Sequence, residues 1–236
     1  MKLTILGNRG SYPRPGDACS GYLLEDGKTK IILDLGSGCL ANLLSVAKPE
    51  ELTAVICSHL HFDHISDLFV LQYALQETGK KLLVYAPATP KNTFDMLSNC
   101  SNFDVKPIME ETQLKLGNLD VSFKLLEHGV DNYAMKFNDG KWQFMYTGDT
   151  CKCKALETFL EGVQTVLCDC NVFEDQHSNK HLSLYEACDL CNQAKVRHLI
   201  MTHFNPAIRS EKYLQLAAAR FNNRVSKADI LKIINI

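Results

Sequence analysis

A chain of 236 residues with 46% hydrophobic content carries enough apolar material for one large α/β core. Its formal net charge of -2 and pI near 6.4 exclude whole-molecule attraction to a polyphosphate chain, so nucleic-acid binding would need a local basic patch, and none stands out. No apolar run reaches bilayer length, and the opening Met-Lys-Leu-Thr-Ile-Leu-Gly reads as a strand, not a signal peptide; with ten cysteines this points to a cytoplasmic chain with reduced thiols and no membrane partner.

Short β-rich runs fall at 2–7, 21–24, 29–34 and 53–57, and Glu25-Asp26-Gly27-Lys28 marks a hairpin turn. Helices are predicted from about Ser37 to Val46, from Ser66 to Glu77 with Leu68, Val70, Leu71 and Leu75 on the apolar side, and after Thr89-Pro90; a strand lies at 82–85. The middle turns antiparallel, with strands at 114–116, 118–126, 133–137 and 142–146 separated by turn sequences such as Asn138-Asp139-Gly140. The last third alternates: helices at 154–161, 182–195 and 210–221 interleave with strands at 166–168, 198–202 and 230–234. Strand groups and helices thus occur twice over, which suggests an α/β fold of two sheets packed face to face with helices outside, a four-layer αββα sandwich. No linker, low-complexity segment or short-period repeat divides residues 1–236, which read as a single domain.

The chemistry concentrates at His59-Leu60-His61-Phe62-Asp63-His64, four potential metal ligands in six residues directly after an apolar run. Residues two apart in an extended segment point the same way, so His59 and His61 can grip one ion while the chain turns and Asp63 and His64 face another. His128, Asp149 and His203 each follow a predicted strand, where a β scaffold can collect ligands from distant sequence. Four such groups in one loop without partners would be costly, which disfavours a purely structural reading. A Gly-Asp-Thr turn can by contrast be a plain helix cap.

Through this string, Glu127-His128-Gly129-Val130, Tyr146-Thr147-Gly148-Asp149-Thr150 and Met201-Thr202-His203-Phe204, the chain resembles the metallo-β-lactamase superfamily, closest in motifs to its RNase Z-like and cyclic-nucleotide phosphodiesterase branch. The resemblance implies that His59, His61 and His128 hold one metal, that Asp63, His64 and His203 hold the other, and that Asp149 bridges. Imidazoles and carboxylates suit two divalent ions, zinc first, with manganese or iron as alternatives. Two ions roughly 3.5–4 Å apart acidify a shared water, so the expected reaction is hydrolysis by a bridging hydroxide that Asp63 orients.

An aspartate and not a cysteine at position 149 speaks against β-lactam cleavage, and Ile65-Ser66-Asp67-Leu68 departs from the small pair usual in glyoxalase and lactonase branches. His181, in Asn179-Lys180-His181-Leu182-Ser183, resembles a segment of the tRNA 3′-end endonucleases and their phosphodiesterase relatives. That likeness implies that His181 protonates the leaving alkoxide, steadied by Asp169. Those endonucleases carry a long tRNA-gripping arm where this chain has only 20 residues between His128 and Asp149, and the loop 8–20 lacks their basic-Asn element, offering Arg9 and Arg14.

The resulting expectation is a phosphodiesterase for a small, cyclic-nucleotide-type substrate. Its rivals are a carboxylic ester or lactone hydrolase on the same centre and an armless tRNA 3′-end-type endonuclease. A non-enzymatic regulatory protein would show lost ligands, whereas all seven are present; a homodimer is left open. Asp34 reads as an anchor for the metal loop or as a turn aspartate, and His177 and His198 read as ordinary. Cys151-Lys-Cys153, Cys168-Asp-Cys170 and Cys188-x-x-Cys191 lack a partner set at zinc-finger spacing and read as core or surface thiols.

Overall fold

A computed structural model describes all 236 residues and divides them into two compact units, Met1–Ile108 with Asp229–Asn235, and Met109–Ala228 with Ile236. In the first unit the order is β1 (Lys2–Gly7), β2 (Gly21–Asp26), β3 (Thr29–Leu35), α1 (Cys39–Leu44), β4 (Ala54–Ile56), α2 (Phe62–Ile65), α3 (Leu68–Gln76), β5 (Leu82–Pro87), α4 (Lys91–Ser98) and β6 (Phe103–Ile108). The second unit runs β7 (Gln113–Leu116), β8 (Leu119–Leu126), β9 (Asn132–Asn138), β10 (Gln143–Tyr146), α5 (Lys154–Phe159), β11 (Thr165–Asp169), α6 (Leu184–Gln193), β12 (His198–Thr202), α7 (Ser210–Arg220) and β13 (Arg224–Lys227), after which β14 (Ile233–Asn235) returns to the first.

Each unit is built on one seven-stranded mixed sheet, in the order β14-β1-β2-β3-β4-β5-β6 and β13-β12-β11-β10-β9-β8-β7. In the first, β1 to β3 are antiparallel and β3 to β6 parallel, because the tight turn after Asp26 makes a hairpin whereas the later connections carry helices. In register, Leu23, Ile32, Val55 and Val84 form one apolar row across the sheet, and α1, α3 and α4 bury Leu43, Leu71, Leu75 and Leu97 in the same core. The second sheet repeats the scheme: Met145, Val166, Leu199 and Val225 line up beneath α5, α6 and α7. The intervening positions, among them Ile5, Tyr22, Ile31, Phe144 and Leu167, are also fully buried, so both faces of each sheet are covered.

The differences from the predicted elements have local causes. The helix expected over 66–77 is α3, starting at Leu68, and a short helix the sequence does not predict, α2, precedes it across Ser66-Asp67; Val70, assigned to the apolar side of α3, is 52% exposed. Asp67 turns its carboxylate to the backbone N–H of Leu40 at 2.8 Å, supplying an orphan donor of α1 with an acceptor, and burial raises its pKa. The helix expected from 182 starts at Leu184, after a capping box in which Ser183 and Glu186 exchange hydrogen bonds. Leu231 at φ 62° confines the last strand to Ile233–Asn235. Thr150 caps no helix; α5 begins after Cys153. No helix is long and apolar enough to cross a membrane.

Candidate metal centre

The parallel strands of the first unit end at one edge, and its chemistry gathers there. After β4, Ser58 and His59 are fully buried, and the chain bends at His61 into α2, which carries Asp63 and His64. Asp34, at the end of β3, holds this turn together. Its carboxylate accepts from the Ser58 N–H at 2.7 Å, the Ser58 hydroxyl at 2.7 Å and His64 Nδ1 at 2.8 Å. Asp34 is thus the anchor and not a mere turn residue, and it adopts φ 53°, a conformation non-glycine residues hold only when their surroundings impose it. Gly36 lets the turn close, since a Cβ there would fall 1.8 Å from the carbonyl oxygen of Asp63.

These contacts fix tautomers. The Ser58 hydroxyl spends its proton on Asp34, so His59 Nδ1, 3.0 Å away, donates to it and His59 Nε2 carries the lone pair. That Nε2 lies 3.1 Å from His61 Nδ1, close to the roughly 3.3 Å between neighbouring nitrogens on one tetrahedral ion. The Nδ1 proton of His64 goes to Asp34, leaving Nε2 as its donor atom, 3.6 Å from Asp63 Oδ2. The first unit therefore presents His59, His61, Asp63 and His64 together, as the sequence predicts of that segment.

In the second unit the strand ends supply the rest. His128 follows β8 and gives its Nδ1 proton to the Lys180 carbonyl at 2.9 Å, again leaving Nε2 as the donor atom. Burial pushes its pKa down although Asp149 pulls it up, favouring the neutral imidazole that a metal needs. Asp149 Oδ2 lies 3.2 Å from His203 Nε2 and 3.8 Å from His181 Nδ1, and ligand atoms of Asp149, Asp169, His181 and His203 lie within 4.8 Å of one another. His203, like Asp34, has a positive φ, 55°.

Asp169 is fully buried at the end of β11 and accepts from His181 Nδ1 at 3.0 Å, from the Thr150 N–H at 3.2 Å and from the Asn171 N–H at 2.9 Å. Burial alone would raise its pKa, but His181 and His203 hold it well below the usual carboxylate range. For His181, burial works downward and the Asp169 carboxylate, with Asp149, more than reverses it, so its pKa is raised. With 18% of its side chain exposed, this is an imidazole whose protonated form is favoured and that can still be reached. His181 lies two residues before the cap of α6, not on the helix.

Several supporting residues carry no sequence signal that singles them out. Ser58 orients His59; Asn132, fully buried, donates to the Thr147 carbonyl at 3.0 Å and accepts from the Asp149 N–H at 3.2 Å; Asn171 holds the His203 carbonyl at 3.2 Å. His198 donates to or accepts from Ser226 at 2.9 Å, and His177 is an exposed loop residue, so neither joins the donor sets. All ten cysteines are free and buried. Cys168 Sγ donates to the Asp169 carbonyl at 3.4 Å, and no cluster of three or more ligand atoms includes a sulfur.

The model of the beta-lactamase superfamily domain matches residues 29–204, most of the chain. The chain belongs to the beta-lactamase superfamily. A Bacillus subtilis protein described as "Probable metallo-hydrolase YhfI" is 29% identical over 236 residues, covering 97% of each chain. The crystal structure of YhfI, described as a metallo-beta-lactamase fold protein, matches with a TM-score of 0.94 at 28% identity, covering 99% of this chain and 98% of that one. A ribonuclease Z of Thermococcus sibiricus is 25% identical over 281 residues, covering 92% of this chain and 90% of its own. Unliganded yeast PDE1, at 18% identity, shares the fold with a TM-score of 0.77, covering 100% and 99%. The expected metallo-β-lactamase fold, two mixed seven-stranded sheets flanked by helices, is therefore borne out, and the superfamily makes this chain a metallo-hydrolase whose His and Asp clusters can bind metal.

Proposed function

We propose that residues 1–236 work as one catalytic domain, a dinuclear metal-dependent phosphodiesterase acting on a small phosphodiester of the cyclic-nucleotide type. His59, His61 and His128 would hold one ion and Asp63, His64 and His203 the other, with Asp149 serving both. The donor chemistry fits. The set is imidazole and carboxylate throughout, as zinc, manganese or iron requires, and the outer nitrogens of His59, His64 and His128 are committed to oxygen acceptors, which aims the inner ones. When bound, the ions supply an acidified water and positive charge against a phosphoryl oxygen.

The protein's own residues do the rest. Asp63, fixed by the Ser11 N–H at 2.8 Å, is an acceptor that can orient the attacking water. His181, braced through Nδ1 by the Asp169 carboxylate that favours its protonated form, has Nε2 with which to hand a proton to the departing alkoxide. That pair is the observation that carries the proposal: a poor alkoxide leaving group needs such an acid, whereas ester or lactone opening on the same centre does not. The relatedness to a ribonuclease Z supports phosphodiester chemistry. The 20 residues between His128 and Asp149 are used up by the hairpin β9–β10, which leaves nothing for a tRNA-gripping arm and favours a small substrate. Ten buried free thiols accord with a reducing, cytoplasmic setting.

The test is the leaving-group dependence of His181→Ala in metal-loaded protein. A cyclic nucleotide, which expels an alkoxide, should lose about 10²–10⁴-fold in kcat, and a nitrophenyl phosphodiester, whose phenolate leaves unaided, far less. Equal losses on both would remove His181 from the acid role, and faster turnover of lactones than of phosphodiesters by the unaltered protein would replace the function.

A further inference from the structure

The loop between β1 and β2 is built more firmly than its exposure suggests. At its base Arg9, whose side chain is only 7% exposed, pairs with Asp17 at 2.7 Å, and the Asn8 and Arg9 N–H groups both donate to the Ala18 carbonyl. Within it the Tyr12 N–H donates to the Gly10 carbonyl at 2.7 Å and the Asp17 N–H to the Arg14 carbonyl at 2.9 Å, while Pro13 and Pro15 fix two of its φ angles. Its tip is tied to the candidate centre by the hydrogen bond from the Ser11 N–H to Asp63 Oδ2. Ser11 holds φ 57° in doing so.

One residue beyond each end of that hydrogen bond stands a large, exposed aromatic ring. Tyr12 follows Ser11 and is 60% exposed; Phe62 precedes Asp63 and is 64% exposed. Neither ring serves a core, and the hydrogen bond from the Ser11 N–H to Asp63 ties the segment that carries one ring to the segment that carries the other. Arg14, also exposed, adds a cation to the same loop. Two exposed π-faces on segments tied to each other, with a cation on the same loop, are the equipment that binds a nucleobase by stacking, which is tolerant of base identity and contributes roughly tenfold or more in affinity per base.

We propose that Tyr12 and Phe62 form an aromatic clamp that grips the nucleobase of the substrate beside Asp63. The proposal rests on the phosphodiesterase reading and narrows its substrate to nucleotides. Stacking energy of this size predicts that Tyr12→Ala, and separately Phe62→Ala, lowers the ratio of kcat/KM on a 3′,5′-cyclic nucleotide to that on its analogue lacking the base by roughly tenfold or more, through KM. Tyr12→Phe keeps the ring and should restore most of the ratio. A ratio unchanged in both alanine variants overturns the clamp even where turnover falls.

A binding arm separates this outcome from failure of the catalytic reading. The 5′-monophosphate of 2-aminopurine riboside, a base whose fluorescence is quenched by stacking, is titrated into metal-loaded protein with no turnover required. Quenched binding that Tyr12→Ala weakens at least tenfold relative to ribose 5-phosphate supports the clamp, whether or not cyclic nucleotides are hydrolysed. Equal affinity for the nucleotide and ribose 5-phosphate, or no binding of either, overturns it.

Discussion

The His181 imidazole lies in opposing fields, burial pushing its pKa down and the carboxylates of Asp169 and Asp149 raising it beyond that loss. A raised histidine contributes stabilisation of its charged form that is complete below the ordinary imidazole value, about 6.5, and is lost as pH climbs through the raised one. Activity towards an alkoxide leaving group should therefore persist above pH 6.5 and fall on the alkaline side. In Asp169→Asn the hydrogen bond to a carboxylate and its charge both go while the burial stays, so the alkaline limb of the kcat profile should move to lower pH. The profile for a nitrophenyl diester should not move with it, and a limb that stays put for the cyclic nucleotide would show that Asp169 does not set the acid. Residues such as His181 and His59 were legible in the sequence because their side chains do chemistry few other residues can. Ser58, Asn132 and Asn171 were not, because a hydrogen bond to a neighbour's nitrogen or carbonyl leaves no mark on local pattern.

Among the elements, helices and central strands announce themselves by the apolar periodicity that their burial demands, and the two strands that escaped the sequence reading are both sheet edges. The outer strand β6 is half exposed and contains Lys106 and Pro107, and β13 has no fully buried residue. An edge strand is kept from further pairing by charge and proline, the features that also erase its strand signature. Helix α6 shows the converse, a start written in two residues. Its Ser183 hydroxyl accepts from the Glu186 N–H at 3.1 Å while the Glu186 carboxylate takes the Ser183 N–H at 2.9 Å. Ser183→Ala should lower stability by about 1 kcal/mol, read as a lower urea midpoint at unchanged slope. The segment before the cap stays tied to Val172, whose N–H donates to the Leu182 carbonyl and whose carbonyl accepts from the Leu184 N–H, so His181 should keep its place and the variant most of its activity.

For the molecule as a whole, the seven proposed ligands are spread along the chain from His59 to His203. Metal that binds only the folded protein stabilises it by mass action, about 2.7 kcal/mol per site at a hundredfold excess over Kd. In a chain of this length that is a rise of roughly 5–11 °C in Tm. The proposed assignment puts His59 and His128 on the same ion, and this has a thermodynamic consequence. If they share it, His59→Ala and His128→Ala should each remove most of that ion's contribution, and the double variant should lose little more than the worse single one, because a ligand cannot be lost twice. Donors serving separate ions would give additive losses. Calorimetry of the four proteins, each with and without excess zinc and each referred to its own metal-free Tm, separates the two outcomes and cancels any packing defect that the substitutions introduce. Additive losses would break the proposed ligand assignment while leaving the fold and the superfamily untouched.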